Sequence, residues 1–271
     1  MISFFAKPPF MMRHLQRVSS TIRGEQIAAY MGNARLNPPH GYEKDVCVYV
    51  KPHIKPGNDY KFEKHSYIDI HDGFDLRHTL DKYPEVGVIV LSELDVETMS
   101  QHVKNKIVLI PHHHVNFERA KRERTQVTRV GMTGSMDAAK HVPDVIRKGL
   151  ADRNMELVEF STFYPRTYVA KFHQTLDIHL QWRPWGRRRL SCPLKIVNAS
   201  SFGVPTVALN EPSFKEMDGC YVGVDTVGEC LEKIDELVSN KKLYEKMAKT
   251  CIKKSEKYHI DNIAKLYQKL D

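Results

Sequence analysis

The chain has 271 residues, of which 41% are hydrophobic and 27% are charged, and this composition excludes a disordered or fibrous protein. Its length suits one large domain or two of average size, and no apolar run reaches the ~18 residues of a membrane-spanning helix. The net charge of +8 favours a polyanionic partner, which is a nucleic acid, an anionic membrane or a nucleotide phosphate.

Short apolar segments alternate with helical patterns in the first half of the chain. Strands are predicted where the sequence is apolar or alternating and rich in β-branched residues, at residues 2–8, 45–52, 66–73, 86–92 and 106–111. Helices are predicted from apolar residues at three- and four-residue steps, at residues 13–31, 76–83 and 96–103. We expect a break in the first helix at Arg23 and Gly24, because glycine weakens a helix interior.

The second half of the chain repeats this alternation. Strands are predicted at residues 126–135, 155–160, 177–182, 204–210 and 220–224. Helices are predicted at residues 141–152, 165–176, 193–202 and 227–238, and two lysine-rich helices follow them. Alternating strands and helices predict parallel sheets with helices on both faces. Two such series predict two Rossmann-like α/β domains that face a cleft, with a hinge at residues 112–126 and ligands at the carboxyl ends of the strands.

Five scattered cysteines without a CxxC pair indicate a reduced intracellular chain, not a disulfide framework or a zinc ribbon. The N-terminal sequence lacks a basic segment before its apolar stretch and a small-residue cleavage site, so a signal peptide is not expected. We therefore predict a cytoplasmic protein.

The most informative segment is SCPLKIVNASSFGVPTVALNEPSFKEM at residues 191–217. Pro193 suits the first turn of a helix, and Gly203 suits its end. The free backbone N–H groups of the first turn form an anion site, with Lys195 inside that turn and Arg187 shortly before it. These residues alone leave two interpretations open, a diphosphate site or an ordinary helix–strand unit with a basic loop.

The run PLKIVNASSFGVPTVAL, followed by Glu216, resembles the donor-binding segment of GT-B glycosyltransferases, close to the group that uses nucleotide sugars without a metal. Three other segments resemble that family in the same order along the chain: KIVLIPHHHVNFER, QVTRVGMTGS and TLDIHLQW. The first is similar to the end of the family's first domain, and the other two are similar to strands of its nucleotide-sugar domain.

The resemblance implies a GT-B chain in three parts. Residues 1–118 would form an acceptor-binding Rossmann-like domain, residues 119–255 a donor-binding Rossmann-like domain, and residues 256–271 a helix that packs back on the first domain. The implied activity is a hexosyltransferase reaction from a nucleotide-diphosphate sugar, with a UDP-sugar as the expected donor, to an acceptor hydroxyl. No cofactor and no metal are implied besides the nucleotide sugar.

The candidate donor residues come from the same resemblance and from the charge pattern. Arg183, Arg187 and Lys195 are predicted to bind the donor phosphates, because cations near a helix N-terminus would stabilise the departing nucleoside diphosphate. Four other residues are predicted to contact the donor sugar or nucleoside, namely Gly131, Gly134, Asn198 and Glu216. For the arginines, surface charge without a specific function is the alternative.

The segment IPHHHVNFER places three consecutive histidines after a predicted strand. His112, His113 and His114 cannot all face one ion, because neighbouring side chains of an extended segment point to opposite faces. We therefore predict no zinc site. The resemblance places these histidines at the mouth of the cleft, where one of them would touch the donor or a phosphate. Ordinary linker histidines are the alternative.

The segment DIHDG supplies the candidate catalytic residues. His71 and Asp72 end a predicted strand of the acceptor domain, at the edge where such folds bind ligands. In an inverting enzyme one of them would deprotonate the acceptor hydroxyl, and in a retaining enzyme they would hold the acceptor. A polar turn after a strand is the alternative for both.

Three functions stay open at this point. A glycosyltransferase would act on a hydroxylated DNA base, a polysaccharide or a lipid. A GT-B-shaped sugar epimerase would share the architecture. A basic nucleic-acid-binding protein without enzymatic activity is favoured by the charge alone, because no RNP, helix-turn-helix or zinc-finger pattern accompanies it.

Overall fold

A computed structural model describes residues 1–7, 18–52, 54, 59–71, 74–134, 140–183 and 190–271. Within these residues the chain divides into two compact units. The first contains the described residues of Met1–His113, Arg187–Cys192 and Ile260–Asp271. The second contains those of His114–Gly186 and Pro193–His259.

The first unit is built on a parallel sheet. Its strands are β1 (Ile2–Ala6), β2 (Ala34–Leu36), β3 (Val46–Val50), β4 (Ser66–Asp69), β5 (Gly87–Val90) and β6 (Ile107–Leu109). They lie in the order β2-β1-β3-β4-β5-β6, and every pair is parallel. Every residue of β4 and β5 is buried, as expected for central strands covered on both faces.

The helices that follow these strands in the first unit are short. A π-helix at Ser20–Gln26 continues into α1 (Ile27–Tyr30), and α2 (Arg77–Leu80) and α3 (Glu93–Ser100) come later. The break expected at Arg23 and Gly24 is instead a widened helical turn. Gly24 lies so close to β1 that a Cβ there would stand 2.8 Å from the Ala6 side chain, so this approach requires glycine.

The second unit repeats the same layering. Its strands are β7 (Arg129–Thr133), β8 (Glu156–Phe160), β9 (Ile178–Gln181), β10 (Thr206–Leu209) and β11 (Tyr221–Val224). They form a parallel sheet in the order β11-β10-β9-β7-β8. Its helices are α4 (Asp144–Ala151), α5 (Arg166–Gln174), α6 (Leu194–Ser201), α7 (Val227–Ser239) and α8 (Lys241–Ser255).

The strand order of the second sheet determines where a ligand is expected. β8 adds to one side of β7, whereas β9, β10 and β11 add to the other side. The direction of the order therefore changes between β7 and β9, and in open parallel sheets the ligand crevice lies at the carboxyl ends of such strands. The segments that follow β7 and β9 are thus the first place to look for a site.

The last helix, α9 (Ile260–Tyr267), belongs to the first unit. The Tyr267 ring packs edge-on against Phe4 of β1, with 5.2 Å between the ring centroids. The Tyr30 hydroxyl donates a hydrogen bond to the Asp261 carboxylate. These contacts fix the end of the chain against the first sheet.

The prediction of two Rossmann-like α/β units is confirmed. Each unit has its own apolar core, including Ile68, Val88 and Val90 in the first and Val130, Ile178 and Val207 in the second. Among the described residues, no helix has both the length and the apolar character that crossing a membrane requires.

Candidate functional site

Two predicted donor residues lie at the ends of β7 and β9. Gly134 follows β7 directly, and its backbone N–H donates to the Phe160 carbonyl at the end of β8 over 3.1 Å. Arg183 stands two residues after β9 and is half-buried. Since these strands flank the point where the order of the sheet changes, the structure brings both residues to the edge where a ligand is expected.

The Arg183 guanidinium points to an anionic ligand. Its Nε is buried and has no hydrogen-bond partner within the part of the chain that the structure describes. A buried donor that stays unsatisfied costs roughly 1–3 kcal/mol, and more when the group is charged. A phosphate oxygen would satisfy both the hydrogen bond and the charge.

Helix α6 follows β9 in the chain, so its N-terminus lies on the side of the carboxyl ends of the strands. Pro193 stands at its N-cap without a side-chain cap, and its first backbone hydrogen bond runs from the Val197 N–H to the Pro193 carbonyl over 2.9 Å. The backbone N–H groups of its first turn therefore point toward the N-terminal end of the helix and make no hydrogen bond inside it. These groups and the helix dipole favour an anion at this end.

Lys195, in the first turn of α6, is half-buried and lies near His179 of β9. Burial, the His173 ring and the Lys195 charge lower the pKa of His179 well below its ordinary value. His179 lies between the hydroxyls of Thr133 and Thr206, each 3.4 Å from a ring nitrogen. A neutral imidazole thus joins β7, β9 and β10.

Two predicted donor residues have other contacts. Gly131 lies inside β7, and a Cβ at this position would overlap the Leu176 side chain, so this glycine allows close packing of the sheet against that residue. Asn198 is buried, and its side-chain oxygen accepts a hydrogen bond from the Val115 N–H over 3.0 Å. The predicted donor contacts of both residues stay predictions.

Glu216 lies in a 3₁₀ helix at Pro212–Met217, after β10. Its carboxylate accepts a hydrogen bond from the Tyr258 hydroxyl over 2.9 Å, which fixes the orientation of the acidic group. Glu211, which the sequence analysis did not select, is buried two residues after β10 and accepts a hydrogen bond from the Ser213 hydroxyl over 2.7 Å. Its position at a carboxyl strand end after a buried run was the signal that could have identified it.

The histidines form contacts in different directions. His112 lies 3.1 Å from a ring nitrogen of His71, and His113 donates to the Ile22 carbonyl over 3.0 Å. His114 accepts from the Asn116 N–H over 3.2 Å, and the boundary between the two units falls between His113 and His114. Across the described ranges, no three histidine, cysteine or acidic side chains are arranged to hold a metal ion.

In the first unit, His71 follows β4 and His112 follows β6. Both stand at the carboxyl edge of the sheet, and the hydrogen bond between them brings together two groups of residues that the sequence suggested separately. Asp72 and Arg187 lie outside the described residues, so their predicted roles stay predictions.

The basic run at residues 119–124 makes ion pairs inside the second unit. Asp177 is fully buried and accepts hydrogen bonds from Nε of Arg122 over 3.0 Å and from Nε of Arg124 over 3.1 Å. The backbone N–H groups of Thr128 and Arg129 also donate to it. The arginines that follow the histidine run therefore anchor the chain to the start of β9.

No protein-family model and no curated protein sequence matches the chain. Among solved structures, S. aureus TarM in complex with fondaparinux, α-GlcNAc-glycerol and UDP has a TM-score of 0.60 and 16% identity, over 84% of this chain and 55% of TarM. Anabaena HepE in complex with UDP has a TM-score of 0.63 and 11% identity, over 98% of both chains.

A UDP-forming α,α-trehalose-phosphate synthase from Burkholderia vietnamiensis has a TM-score of 0.58 and 8% identity, over 83% of this chain and 65% of the synthase. The chain thus spans about half the length of TarM and nearly all of HepE. With identities this low, the likeness concerns the architecture. The fold of this chain is the GT-B fold of these glycosyltransferases.

Proposed function

We propose that the chain is a glycosyltransferase that takes a sugar from a nucleoside diphosphate donor. The observation that carries the proposal is the position of Gly134, Arg183 and Lys195 around the point where the second sheet changes its order. Among the described residues the buried Nε of Arg183 has no hydrogen-bond partner, and the N-cap residue of α6 makes no side-chain cap, and both observations favour a diphosphate there.

UDP is the nucleotide we propose, since the TarM and HepE structures contain UDP and share the fold. The two cations would neutralise the charge that develops on the departing diphosphate, which is the role a divalent cation has in other sites. We therefore propose transfer of a hexose without a resident metal. The acceptor hydroxyl, on a hydroxylated DNA base, a polysaccharide or a lipid, would be held by the first unit, where His71 stands.

No observation favours a non-enzymatic nucleic-acid-binding protein. The charge is partly used inside the protein, because the arginines of the basic run at residues 119–124 pair with acidic side chains of the same unit. Arg122 and Arg124 bind Asp177, and Arg119 binds Glu256 with 2.7 Å between nitrogen and oxygen.

Isothermal titration calorimetry with UDP, other nucleoside diphosphates and their sugars tests the proposal. A charge-assisted contact contributes about 1.5–3 kcal/mol, so Lys195→Ala and Arg183→Ala should each weaken UDP binding by roughly 10- to 150-fold at low salt. Lys246→Ala is the matched control, because Lys246 is exposed on α8 and its removal changes the net charge equally.

Two results would overturn the proposal. If the parent chain binds none of these nucleotides, the transferase function fails. If Lys246→Ala weakens binding as much as Lys195→Ala, the attraction is non-specific and the phosphate site is misplaced. Release of UDP from the UDP-sugar that binds, with or without an added acceptor, then reports the chemical step.

A further inference from the structure

His71 and His112 form a hydrogen-bonded pair in the first unit. Nδ1 of His71 lies 3.1 Å from Nε2 of His112, and the rings meet nearly at right angles, with 4.9 Å between their centroids. In such a pair one nitrogen must donate and the other must accept. The proton arrangement therefore has two forms, and the surroundings of His112 distinguish between them.

His112 is buried, and its Nδ1 has no hydrogen-bond partner within the described segments. If His112 accepted the hydrogen bond at Nε2, its own proton would sit on Nδ1 as a buried N–H without an acceptor. If His112 donates from Nε2, its Nδ1 is only an unfilled acceptor. Orphaned buried N–H groups are rarer in proteins than under-used acceptors, so the second form is favoured.

A doubly protonated His112 is disfavoured as well. Burial, followed by the effects of His71, Arg23 and His113, lowers the pKa of His112 well below its ordinary value. Its ring is therefore neutral near pH 7, with one proton to place. The Arg23 guanidinium, which pairs with Asp69, is a permanent positive charge that disfavours a second proton on His112.

The backbone holds His71 in an unusual conformation beside His112. Its φ is 40°, in the left-handed region that non-glycine residues seldom adopt. Such conformations cost energy and are concentrated at functional sites, where the surrounding structure enforces them. The fold therefore imposes the backbone conformation from which the His71 ring projects.

We propose that His112 donates from Nε2 to Nδ1 of His71 and thereby fixes the tautomer of His71 that carries its proton on Nε2. His71 then presents an N–H donor, not a basic nitrogen, to the substrate group it contacts, and it does not take the acceptor proton. His112 is a positioning residue in this arrangement. The inference rests on the proposed function only in that His71 contacts a substrate.

NMR correlation of imidazole nitrogens with ring protons tests the tautomer in the full chain at pH 7.5. The His71 signals are assigned by their loss in His71→Gln. We expect a protonated Nε2 and an unprotonated Nδ1 in the parent, and a mixture of the two tautomers in His112→Leu. In His112→Gln, whose amide can supply the same donor, the parent pattern should return. A proton on Nδ1 of His71 in the parent would overturn the proposal.

Transfer kinetics supply a second test. The amide of His71→Gln keeps an N–H donor but cannot act as a base. If His71 is a donor, kcat/KM should fall by about tenfold or less, as for one neutral hydrogen bond. General bases contribute about 10²- to 10⁴-fold, so a loss of that size in His71→Gln would contradict the donor role. The NMR result is independent of substrate, so failure of UDP binding would refute the proposed function and leave the tautomer measurable.

Discussion

Arg23 and Asp69 form an ion pair inside the first unit, with side-chain exposures of 1% and 0%. The same guanidinium donates from Nη1 to the Ile110 carbonyl over 2.7 Å and to the Pro111 carbonyl over 3.0 Å. Asp69 ends β4, and Ile110 follows β6. The pair therefore ties together the two strand ends from which His71 and His112 project.

Arg23→Met should destabilise the first unit strongly, because it leaves the Asp69 carboxylate buried without its counter-charge. Removal of one partner of a buried pair costs about 3–5 kcal/mol, and Asp69→Leu should cost a similar amount. The double variant should lose much less than the sum, because no unpaired charge remains. Urea denaturation followed by circular dichroism measures all three.

The exposed ion pair between Arg153 and Asp235 is the matched control. Arg153→Met removes the same type of side chain, but water and salt screen this pair, so the loss should be far smaller. Equal losses at Arg23 and Arg153, or strictly additive losses in the double variant, would show that burial does not govern the Arg23–Asp69 interaction.

The sequence predicted most of the fold because its signals are local. Buried parallel strands such as β5 and β10 are continuous apolar runs, and helices such as α7 show a clear apolar stripe. β2 was missed because it is a three-residue edge strand whose conformation depends on pairing with β1. The π-helix was missed because its geometry comes from the packing of Gly24 against Ala6, which no local pattern records.

The candidate site was less predictable than the fold, because its side-chain contacts are not local in the sequence. Strand ends and a helix N-terminus follow from chain order, and so the sequence could place Gly134 and Arg183 after strands and Lys195 in the first turn of a helix, whereas their binding of a donor stays a prediction. The partners of a side chain depend on which distant segments meet, and so the pairing of His71 with His112, 41 residues apart, could not be foreseen. Gly131 shows the same dependence on distant segments, because no local pattern records that a Cβ at this position would meet the Leu176 side chain.

Gly131→Ala should destabilise the second unit by about 1–3 kcal/mol, because the new methyl group overlaps Leu176 in a packed core. UDP affinity of the folded variant should stay within a factor of about two, because the added methyl group meets the Leu176 side chain. Such a difference in binding free energy is well below the ~1.4 kcal/mol of a tenfold effect. Leu176→Ala combined with Gly131→Ala should cost less than the two single changes together. Denaturant midpoints and calorimetric titration measure these quantities. A large loss of UDP affinity at unchanged stability would instead restore the predicted donor role of Gly131.

His173 should make the second unit sensitive to acid. Its ring lies 6.0 Å from Phe202 in a stacked arrangement, neither ring nitrogen has a partner among the residues described, and burial lowers its pKa to about 3. The unfolded chain, with an ordinary pKa of 6.5, binds the proton first as the pH falls. The stability contribution is therefore complete above pH 6.5 and is lost progressively as the pH falls toward 3, at up to about 1.4 kcal/mol per pH unit.

His173→Leu removes this titration and should flatten the dependence of the unfolding free energy on pH by about one proton between pH 6 and pH 4. His112 and His179, whose pKa values are also lowered by burial, remain in the variant and keep part of the slope. Urea midpoints at several pH values in this range give both slopes. Parallel curves for the parent and the variant would show that His173 is protonated as readily in the folded chain as in the unfolded one.

Glu216 and Tyr258 provide the test of how the donor sugar is held. The Tyr258 hydroxyl occupies one oxygen of the Glu216 carboxylate over 2.9 Å and fixes its direction. If the carboxylate accepts from sugar hydroxyls, Glu216→Gln replaces a charged acceptor with a neutral one and should weaken binding of the UDP-sugar by about tenfold. Binding of UDP itself should not change, because the predicted contact of Glu216 is with the sugar and not with the nucleotide. Tyr258→Phe should have a smaller effect of the same kind, since the carboxylate loses its orientation but keeps its charge.

The comparison of UDP with the UDP-sugar separates a sugar contact from a structural role. Glu232→Gln, on the exposed face of α7, is the control for the change in net charge and should alter neither affinity. Equal weakening of UDP and UDP-sugar by Glu216→Gln would indicate that the change disturbs the segment after β10 as a whole. No weakening of either would mean that the sugar is held elsewhere, and Glu211, buried at the end of the same strand, would be the next residue to change.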